Sequence, residues 1–190
     1  MLSNRHQQAG FSLIELLIGF ALIGILTVIA IPAFQHWIRN TEIRNAAESI
    51  ANGIQIARVE AISRNVAVQM VIGPGAGWTV SEASTGTQIQ QRSALESSGG
   101  AALIINDLNA DGVSDDPDAD RLTFNGMGWR VPNGDASPLI NRTDINNPIG
   151  GTCKHADGGP MRCMRVVIAA SGASRMCDPA VAAGDPRACL

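Results

Sequence analysis

One long apolar segment dominates the pattern of hydrophobic and polar positions in this chain. From Phe11 to Phe34 almost every residue is apolar, and Glu15 is the single acidic or basic residue. A helix of about 20 apolar residues can cross a bilayer core, whereas a carboxylate inside such a helix is costly and normally has a partner. The polar stretch 1–10 precedes it and carries Arg5 but no acid, which favours a cytoplasmic position for that stretch. The pattern predicts a membrane-spanning helix with a functional acid near one end.

Beyond Pro32 the pattern changes from wholly apolar to amphipathic. We predict one helix from Phe11 to about Arg64, with residues 11–34 spanning the membrane and residues 35–64 lying on a sheet. Pro32 lacks a backbone donor and should bend or loosen the helix. A separate surface helix is the alternative for the second half, although no linker rich in Gly or Pro divides the two. The apolar residues of this half recur at steps of three or four, on one helical face: Ile43, Ala46, Ala47, Ile50, Ile54, Ala57 and Ala61.

Residues 65–190 are predicted to form a β-rich head. The stretch Pro132–Pro160 is rich in Asn, Asp, Gly and Pro and is predicted to be a loop. A long N-terminal helix followed by short antiparallel strands is an α+β fold. Strands separated by turn signals are predicted at Val66–Ile72, Trp78–Val80, Thr87–Arg92, Leu103–Ile105, Leu122–Phe124, Trp129–Val131, Arg162–Ala169 and Ser174–Cys177. Hairpins are predicted around Gly73–Gly77, Asn125–Gly128 and Ser171-Gly172, and the polar strand Thr87–Arg92 is expected at a sheet edge.

Charge is sparse and unevenly distributed. The net charge of −3 gives no global reason to expect nucleic-acid binding. The stretch Glu96–Asp120 contains seven acids and no base, whereas Gly151–Leu190 contains five bases against three acids. Such local asymmetry concerns partners and not the fold.

Four cysteines lie in the last 40 residues of the chain. An even number downstream of an export segment indicates two disulfides in an oxidising compartment. Three pairings are possible, and we favour Cys153–Cys163 with Cys177–Cys189 because each closes a short loop around turn residues. A zinc site is the rival interpretation, which the absence of a C-x-x-C spacing argues against.

The start of the chain, Gly10-Phe11-Ser12-Leu13-Ile14-Glu15 followed by an apolar helix with Pro32, resembles the class III leader and first helix of type IV pilins and type II secretion pseudopilins. The resemblance implies that residues 1–10 are a leader, that a prepilin peptidase cuts between Gly10 and Phe11, and that the new amine of Phe11 is methylated. It also implies the type IV pilin fold, in which one long N-terminal helix packs on an antiparallel β-sheet domain. A plain signal anchor is the alternative, which would explain the hydrophobicity but not Glu15.

The pattern of the head looks like that of the GspH, FimT and FimU group of minor pilins, although this part of the resemblance is less specific. Within the family, Glu15 would pair with an N-terminal amine, either of a neighbouring subunit or of its own, and set the register of subunits in a fibre. Breaking an established buried pair costs roughly 3–5 kcal/mol. A glutamate that snorkels to the lipid headgroups is the alternative.

The acidic stretch that begins at Asp107 has the D-x-N-x-D-G spacing of an EF-hand-like calcium loop. Oxygen ligands at alternate residues can converge on one cation where the chain turns at Gly112. The last position holds an aspartate, which is shorter than the usual glutamate, and no flanking helix is evident. An Asx-rich surface loop remains the alternative. The candidate calcium ligands are Asp107, Asn109, Asp111, Val113, Asp115 and Asp118.

The basic C-terminal region suggests DNA binding as a further hypothesis. Some FimT-like pilins bind DNA through a Gly-Arg-x-Arg motif, and here Gly172 and Arg175 match while Ala173 replaces the first arginine. Losing a phosphate contact lowers both affinity and its salt dependence. Arg165 and Arg175 are the candidate contacts, and solvated strand-edge arginines are the favoured alternative.

No arrangement of residues typical of an enzyme is present: the histidines are far apart, and there is no phosphate loop or G-x-S-x-G motif. The resemblance implies a minor pilin that helps to prime a type IV pilus and sits at or near its tip. Its partners would be other minor pilins, the major pilin, a tip adhesin and the prepilin peptidase, with no small-molecule substrate. It would sit in the inner membrane with a periplasmic head and then in the surface fibre. The alternatives are a GspH-like pseudopilin of type II secretion and a FimT-like DNA-binding pilin.

Overall fold

The computed structural model describes residues 12–97, 103–104 and 120–189. The chain divides after Gln35 into two units, which are described separately. One helix, α1 (Leu13–Arg64), belongs to both units. Its residues up to Gln35 lie in the N-terminal unit, and its residues from His36 onwards lie in the C-terminal unit, here called the head. The predicted helix is therefore confirmed, and it continues through Pro32 without interruption.

The N-terminal unit consists of the apolar part of α1. Its described side chains are exposed, and α1 is long and apolar enough to cross a membrane. A helix with apolar residues on every side is stable only where lipid or other apolar helices surround it. The exposure of this unit therefore indicates a surface that is covered by lipid or by other subunits.

The strands of the head form two antiparallel sheets. The first has the order β3-β2-β1-β5-β6 and the second the order β4-β7-β8-β9. The strands are β1 (Val68–Ile72), β2 (Trp78–Glu82), β3 (Gln88–Arg92), β4 (Leu103–Ile104), β5 (Arg121–Phe124), β6 (Arg130–Val131), β7 (Arg142–Ile145), β8 (Met164–Ile168) and β9 (Ser174–Cys177), with short helices α2 (Ala94–Ser97) and α3 (Lys154–Asp157).

The eight predicted strands all occur, and their predicted neighbours pair. β1 and β2 form the hairpin expected around Gly73–Gly77, β5 and β6 form the second, and β8 and β9 the third. The polar strand β3 lies at a sheet edge, as predicted.

The prediction that Pro132–Pro160 is a loop is wrong in part, because β7 and α3 lie within it. β7 has only four residues, of which Thr143 and Ile145 are fully buried and the other two are charged. Its antiparallel pairing with β8 joins Arg142 to Val167 and Ile145 to Met164. Such a strand is formed through contacts that are distant in sequence, so a local pattern of turn residues conceals it.

The predicted amphipathic face of α1 forms the core of the head. All seven of its residues are fully buried, from Ile43 to Ala61. They pack with buried residues of the first sheet, which include Met70, Trp78 and Phe124. Four of the seven are alanines, whose small side chains allow the helix to approach the sheet closely.

Two further residues of α1 belong to this face and receive the Trp78 side chain. Gly53 leaves room for the indole ring, since a Cβ atom there would lie 2.9 Å from two ring atoms and 2.6 Å from the methyl group of Met70. Ser49 Oγ accepts a hydrogen bond from Trp78 Nε1 at 3.1 Å and donates to the Ala76 carbonyl at 3.4 Å. The helix thereby leaves space for the buried indole ring and provides an acceptor for its N–H group.

We expect Ser49→Ala to lower the free energy of unfolding by about 2 kcal/mol, because it leaves the buried indole N–H of Trp78 without an acceptor. Urea unfolding of the full chain in detergent, followed by circular dichroism, measures this. The matched control is Ser63→Ala on the same helix, where the exposed hydroxyl donates only to the Glu60 carbonyl. Equal losses for the two variants would contradict the proposed role of Ser49.

Arg130 of β6 joins the two sheets. Its Nη1 donates to the carbonyls of Ile140 and Ile168 at 3.1 and 2.8 Å, and its Nη2 to Asn141 Oδ1 at 2.7 Å. Burial lowers the pKa of the Arg130 guanidinium. Because β8 of the second sheet ends at Ile168, these bonds hold the edge of the first sheet against the second.

Candidate assembly site

The first turn of α1 places Glu15 in a defined position. Ser12 Oγ accepts a hydrogen bond from the Glu15 backbone N–H at 3.2 Å, so Ser12 is the N-cap and Glu15 the third helical residue. Sequence reasoning missed this role of Ser12, although the spacing S-x-x-E is the signature of a capping box. A carboxylate in the first turn also interacts favourably with the helix dipole.

The Glu15 carboxylate has no hydrogen bond or ion pair with any residue that the structure describes. It borders an open depression of about 320 Å³ whose remaining walls are Leu16, Gly19, Phe20 and Ile23. No other acidic or basic residue occurs between Leu13 and Gln35. A lone carboxylate beside an apolar depression is suited to receive a cationic group from outside the described part of the chain.

Two groups of predicted site residues lie outside the described residues. They are the processing junction Gly10-Phe11 and the candidate calcium ligands Asp107, Asn109, Asp111, Val113, Asp115 and Asp118. Within the described ranges, no group of three or more His, Cys, Asp or Glu residues could hold a metal ion. The calcium loop therefore stays a prediction.

The part of α1 that begins the head is tied to the C-terminal region by two polar contacts. Asn40 Oδ1 accepts the backbone N–H of Arg162 at 2.8 Å, and Glu42 Oε2 accepts Asn147 Nδ2 at 2.8 Å. Asn147 is fully buried, and its Oδ1 accepts the backbone N–H groups of Ile149 and Gly150. Nothing in the local sequence pattern marks these contacts, because they join residues over 100 positions apart.

Two disulfides hold the C-terminal region, in the pairing that the sequence analysis favours. Cys153 is bonded to Cys163, and Cys177 is bonded to Cys189. The second disulfide closes the tail onto the end of β9. Within that loop the buried carboxylate of Asp178 accepts a hydrogen bond from Arg162 Nη2 at 2.7 Å.

We expect the double variant Cys177→Ala with Cys189→Ala to lower the free energy of unfolding by about 2–3 kcal/mol, because it removes the constraint on a short loop of the unfolded chain. Thermal unfolding of the full chain in detergent measures the loss. Arg187→Gln in the same loop is the control, since it removes only an exposed ion pair with Asp185. If the double variant were no less stable than this control, the tail disulfide would have no stabilising role.

The candidate DNA contacts are engaged within the fold. Arg165 Nη2 donates to Asp144 Oδ2 at 3.0 Å, and Arg175 Nη2 donates to the carbonyl of Ala188. Arg187 pairs with Asp185 at 2.8 Å, and its hydrogen bonds lower the pKa of that carboxyl to about 2. These arginines therefore have protein acceptors in place of phosphate groups.

Comparisons with known proteins identify both parts of the chain. The family model described as Type II transport protein GspH matches residues 46–172, and the prokaryotic N-terminal methylation motif matches residues 5–31. The type IV major fimbrial protein FimA of Dichelobacter nodosus is 47% identical over 49 residues, which are 26% of this chain and 30% of that protein. A fimbrial protein of Moraxella nonliquefaciens is 44% identical over 50 residues, 26% of this chain and 32% of that protein. The match thus spans less than a third of either relative.

Two crystal structures of the type IV minor pilin FimU of Pseudomonas aeruginosa are similar to this one. Their TM-scores are 0.45 and 0.47, at 19% and 17% identity, over 70% and 72% of this chain and 90% and 88% of theirs. The GspH model, in contrast, matches more than half of this chain. Pilins and pseudopilins are structural subunits and not enzymes. The chain belongs to the GspH family of pilins and pseudopilins and carries their N-terminal methylation motif.

Proposed function

We propose that this chain is a minor pilin of a type IV pilus, which helps to prime assembly and sits at or near the tip of the fibre. The observation that carries the proposal is the Glu15 carboxylate, which has no partner among the described residues and lies at the start of the apolar part of α1. Pilins assemble with other pilins and are processed by a prepilin peptidase. A partner for Glu15 is then expected from another subunit or from the processed N-terminus.

The proposed mechanism begins in the inner membrane. Cleavage between Gly10 and Phe11 exposes an amine at the start of the helix, which is then methylated. The Glu15 carboxylate of one subunit attracts this amine of a neighbour, because a charge pair in an apolar environment is far less costly than a lone charge. The pair fixes the axial register, while the exposed apolar surface of the helix packs against neighbouring helices. The head, with its two disulfides, is carried into the fibre on the cell surface.

A GspH-like pseudopilin of a type II secretion system is the second candidate. The description of the matching family model favours it, since that description names type II transport. The two fimbrial relatives favour the pilus. Both candidates use the helix, the cleavage and Glu15 in the same way and differ in their partners. A DNA-binding pilin has weaker support, because Arg165 and Arg175 already donate to acceptors of the head.

The deciding experiment is a pull-down of the tagged full chain from membranes, with mass spectrometry of the proteins that accompany it. Other minor pilins, a major pilin and a tip adhesin are expected. Type II pseudopilins in their place would overturn the pilus assignment and leave the helix mechanism intact. The priming role is tested separately by deleting the gene, which should reduce the number of surface pili and leave the level of major pilin in the membrane unchanged.

A further inference from the structure

The second sheet has one face turned away from the core, and this face is basic. In β7 the side chains of Thr143 and Ile145 are buried, so Arg142 and Asp144 occupy the opposite face. The sheet register places Val167 opposite both Arg142 and Arg175, and Arg165 opposite Asp144. We call these five residues, Arg142, Asp144, Arg165, Val167 and Arg175, the outer face. It carries three guanidinium groups and one carboxylate.

The single carboxylate of the outer face, that of Asp144, already accepts hydrogen bonds from Arg165. Arg165 Nη2 donates to Asp144 Oδ2 at 3.0 Å, and a further hydrogen bond joins Arg165 Nε to Asp144 Oδ1. Arg142 Nε lies 4.0 Å from the same carboxylate, which is beyond hydrogen-bond distance. Two guanidinium groups therefore share one acid, and the one without a hydrogen bond to it is Arg142.

Arg142 is in an unfavourable position for a charged side chain. Its Nε atom is buried and has no hydrogen-bond partner among the residues that the structure describes, although the side chain as a whole is 34% exposed. Burial is the main cause that lowers the pKa of Arg142, and the charge of Arg165 contributes in the same direction. An N–H donor that has lost water and gained no acceptor costs free energy. An incoming carboxylate would instead meet the exposed part of the Arg142 guanidinium and balance its charge.

The surface beside Arg142 is apolar. A depression of about 210 Å³ has Val167, Ala169, Ala173 and Arg175 among its lining residues. Arg175 donates to the carbonyl of Ala188 and so holds the C-terminal tail in place. The outer face thus offers a cation without a hydrogen-bonded acid on one side of Val167 and a small apolar floor on the other.

We propose that the outer face binds an acidic segment of a partner protein, with one carboxylate of the partner on Arg142 and adjoining aliphatic groups over Val167. The excess of positive charge on the outer face favours an acidic partner. A carboxylate brings one negative charge, which Arg142 balances, and its carbon chain suits the apolar floor. A phosphate backbone suits this face less, because its repeated charges need several free cations, whereas Arg165 and Arg175 have acceptors already. The site is in the head and does not depend on the proposed role of Glu15.

Fluorescence anisotropy of a fluorescein-labelled poly-aspartate peptide, titrated with the full chain in detergent, tests the proposal. Arg142→Gln should weaken binding by about tenfold or more. The matched control is Arg44→Gln, which removes an exposed arginine of α1 that pairs with Glu48 and should leave the affinity unchanged. Equal affinity of wild type and Arg142→Gln overturns the proposal.

Two further measurements guard against a variant that merely unfolds. Val167→Glu places a carboxylate opposite Arg142 within the chain, so it should also abolish peptide binding while the head stays folded. In the wild-type protein, the ¹H–¹⁵N signal of Arg142 Nε–H should shift when the peptide is added. A stronger shift with a single-stranded oligothymidine, or Val167→Glu binding as wild type does, overturns the proposal.

Discussion

Glu15→Val should be inserted in the membrane and cleaved normally, but should enter the fibre about a hundredfold less than the wild type. The substitution removes the carboxylate that would pair with the N-terminal amine of a neighbour, and the loss of one member of a buried charge pair costs roughly 3–5 kcal/mol. A tenfold change in an equilibrium corresponds to about 1.4 kcal/mol, so the expected hundredfold effect, about 2.8 kcal/mol, lies just below this range. Immunoblots of sheared surface fibres and of membranes give the two amounts, and electrophoretic mobility reports cleavage.

Thr27→Val is the matched control, because it also replaces a polar residue by valine in the same apolar segment. The Thr27 hydroxyl donates to the carbonyl of Ile23 at 2.7 Å, so it already has a partner within its own helix. This variant should enter the fibre as the wild type does. Normal incorporation of Glu15→Val, or an equal loss with Thr27→Val, would contradict the pairing mechanism.

Local periodicity accounts for the part of the fold that the sequence predicts. The seven apolar residues from Ile43 to Ala61 recur at helical spacing, and all seven are buried because this spacing places them on one side of α1. The hairpins follow the same logic, since short strands joined by turn residues pair with their neighbours in the chain. The short loops between cysteines likewise favoured the pairing that the structure has.

The features that the sequence analysis missed depend on contacts that are distant in the chain. β7 has four residues and two charges, and only its neighbours in the second sheet make it a strand. The contact of Glu42 with Asn147 and the bonds of Arg130 to the carbonyls of Ile140 and Ile168 have no local signature. Arg165 illustrates the consequence: the sequence marks it as a candidate phosphate contact, whereas the register places its partner Asp144 directly opposite.

Gly53→Ala should destabilise the head by about 1–2 kcal/mol, and Gly53→Val by about 3 kcal/mol or more. In an exposed helix the change from Gly to Ala stabilises by about 1 kcal/mol, so the expected sign is reversed. The reason is the Trp78 ring, two atoms of which would lie 2.9 Å from the new Cβ. The methyl end of Met70 can move aside, whereas the indole is held by its hydrogen bond to Ser49.

Asn52→Ala is the matched control for Gly53, since the two residues are adjacent in α1 and Asn52 is exposed. Alanine has the higher helix propensity, so this variant should be slightly more stable than the wild type, by about 0.5 kcal/mol. Urea unfolding of the full chain in detergent compares the two. Opposite signs at neighbouring positions would separate overpacking against Trp78 from any general effect on the helix. A Gly53→Ala variant as stable as Asn52→Ala would mean that the sheet yields and that close packing at this point does not fix the helix on the head.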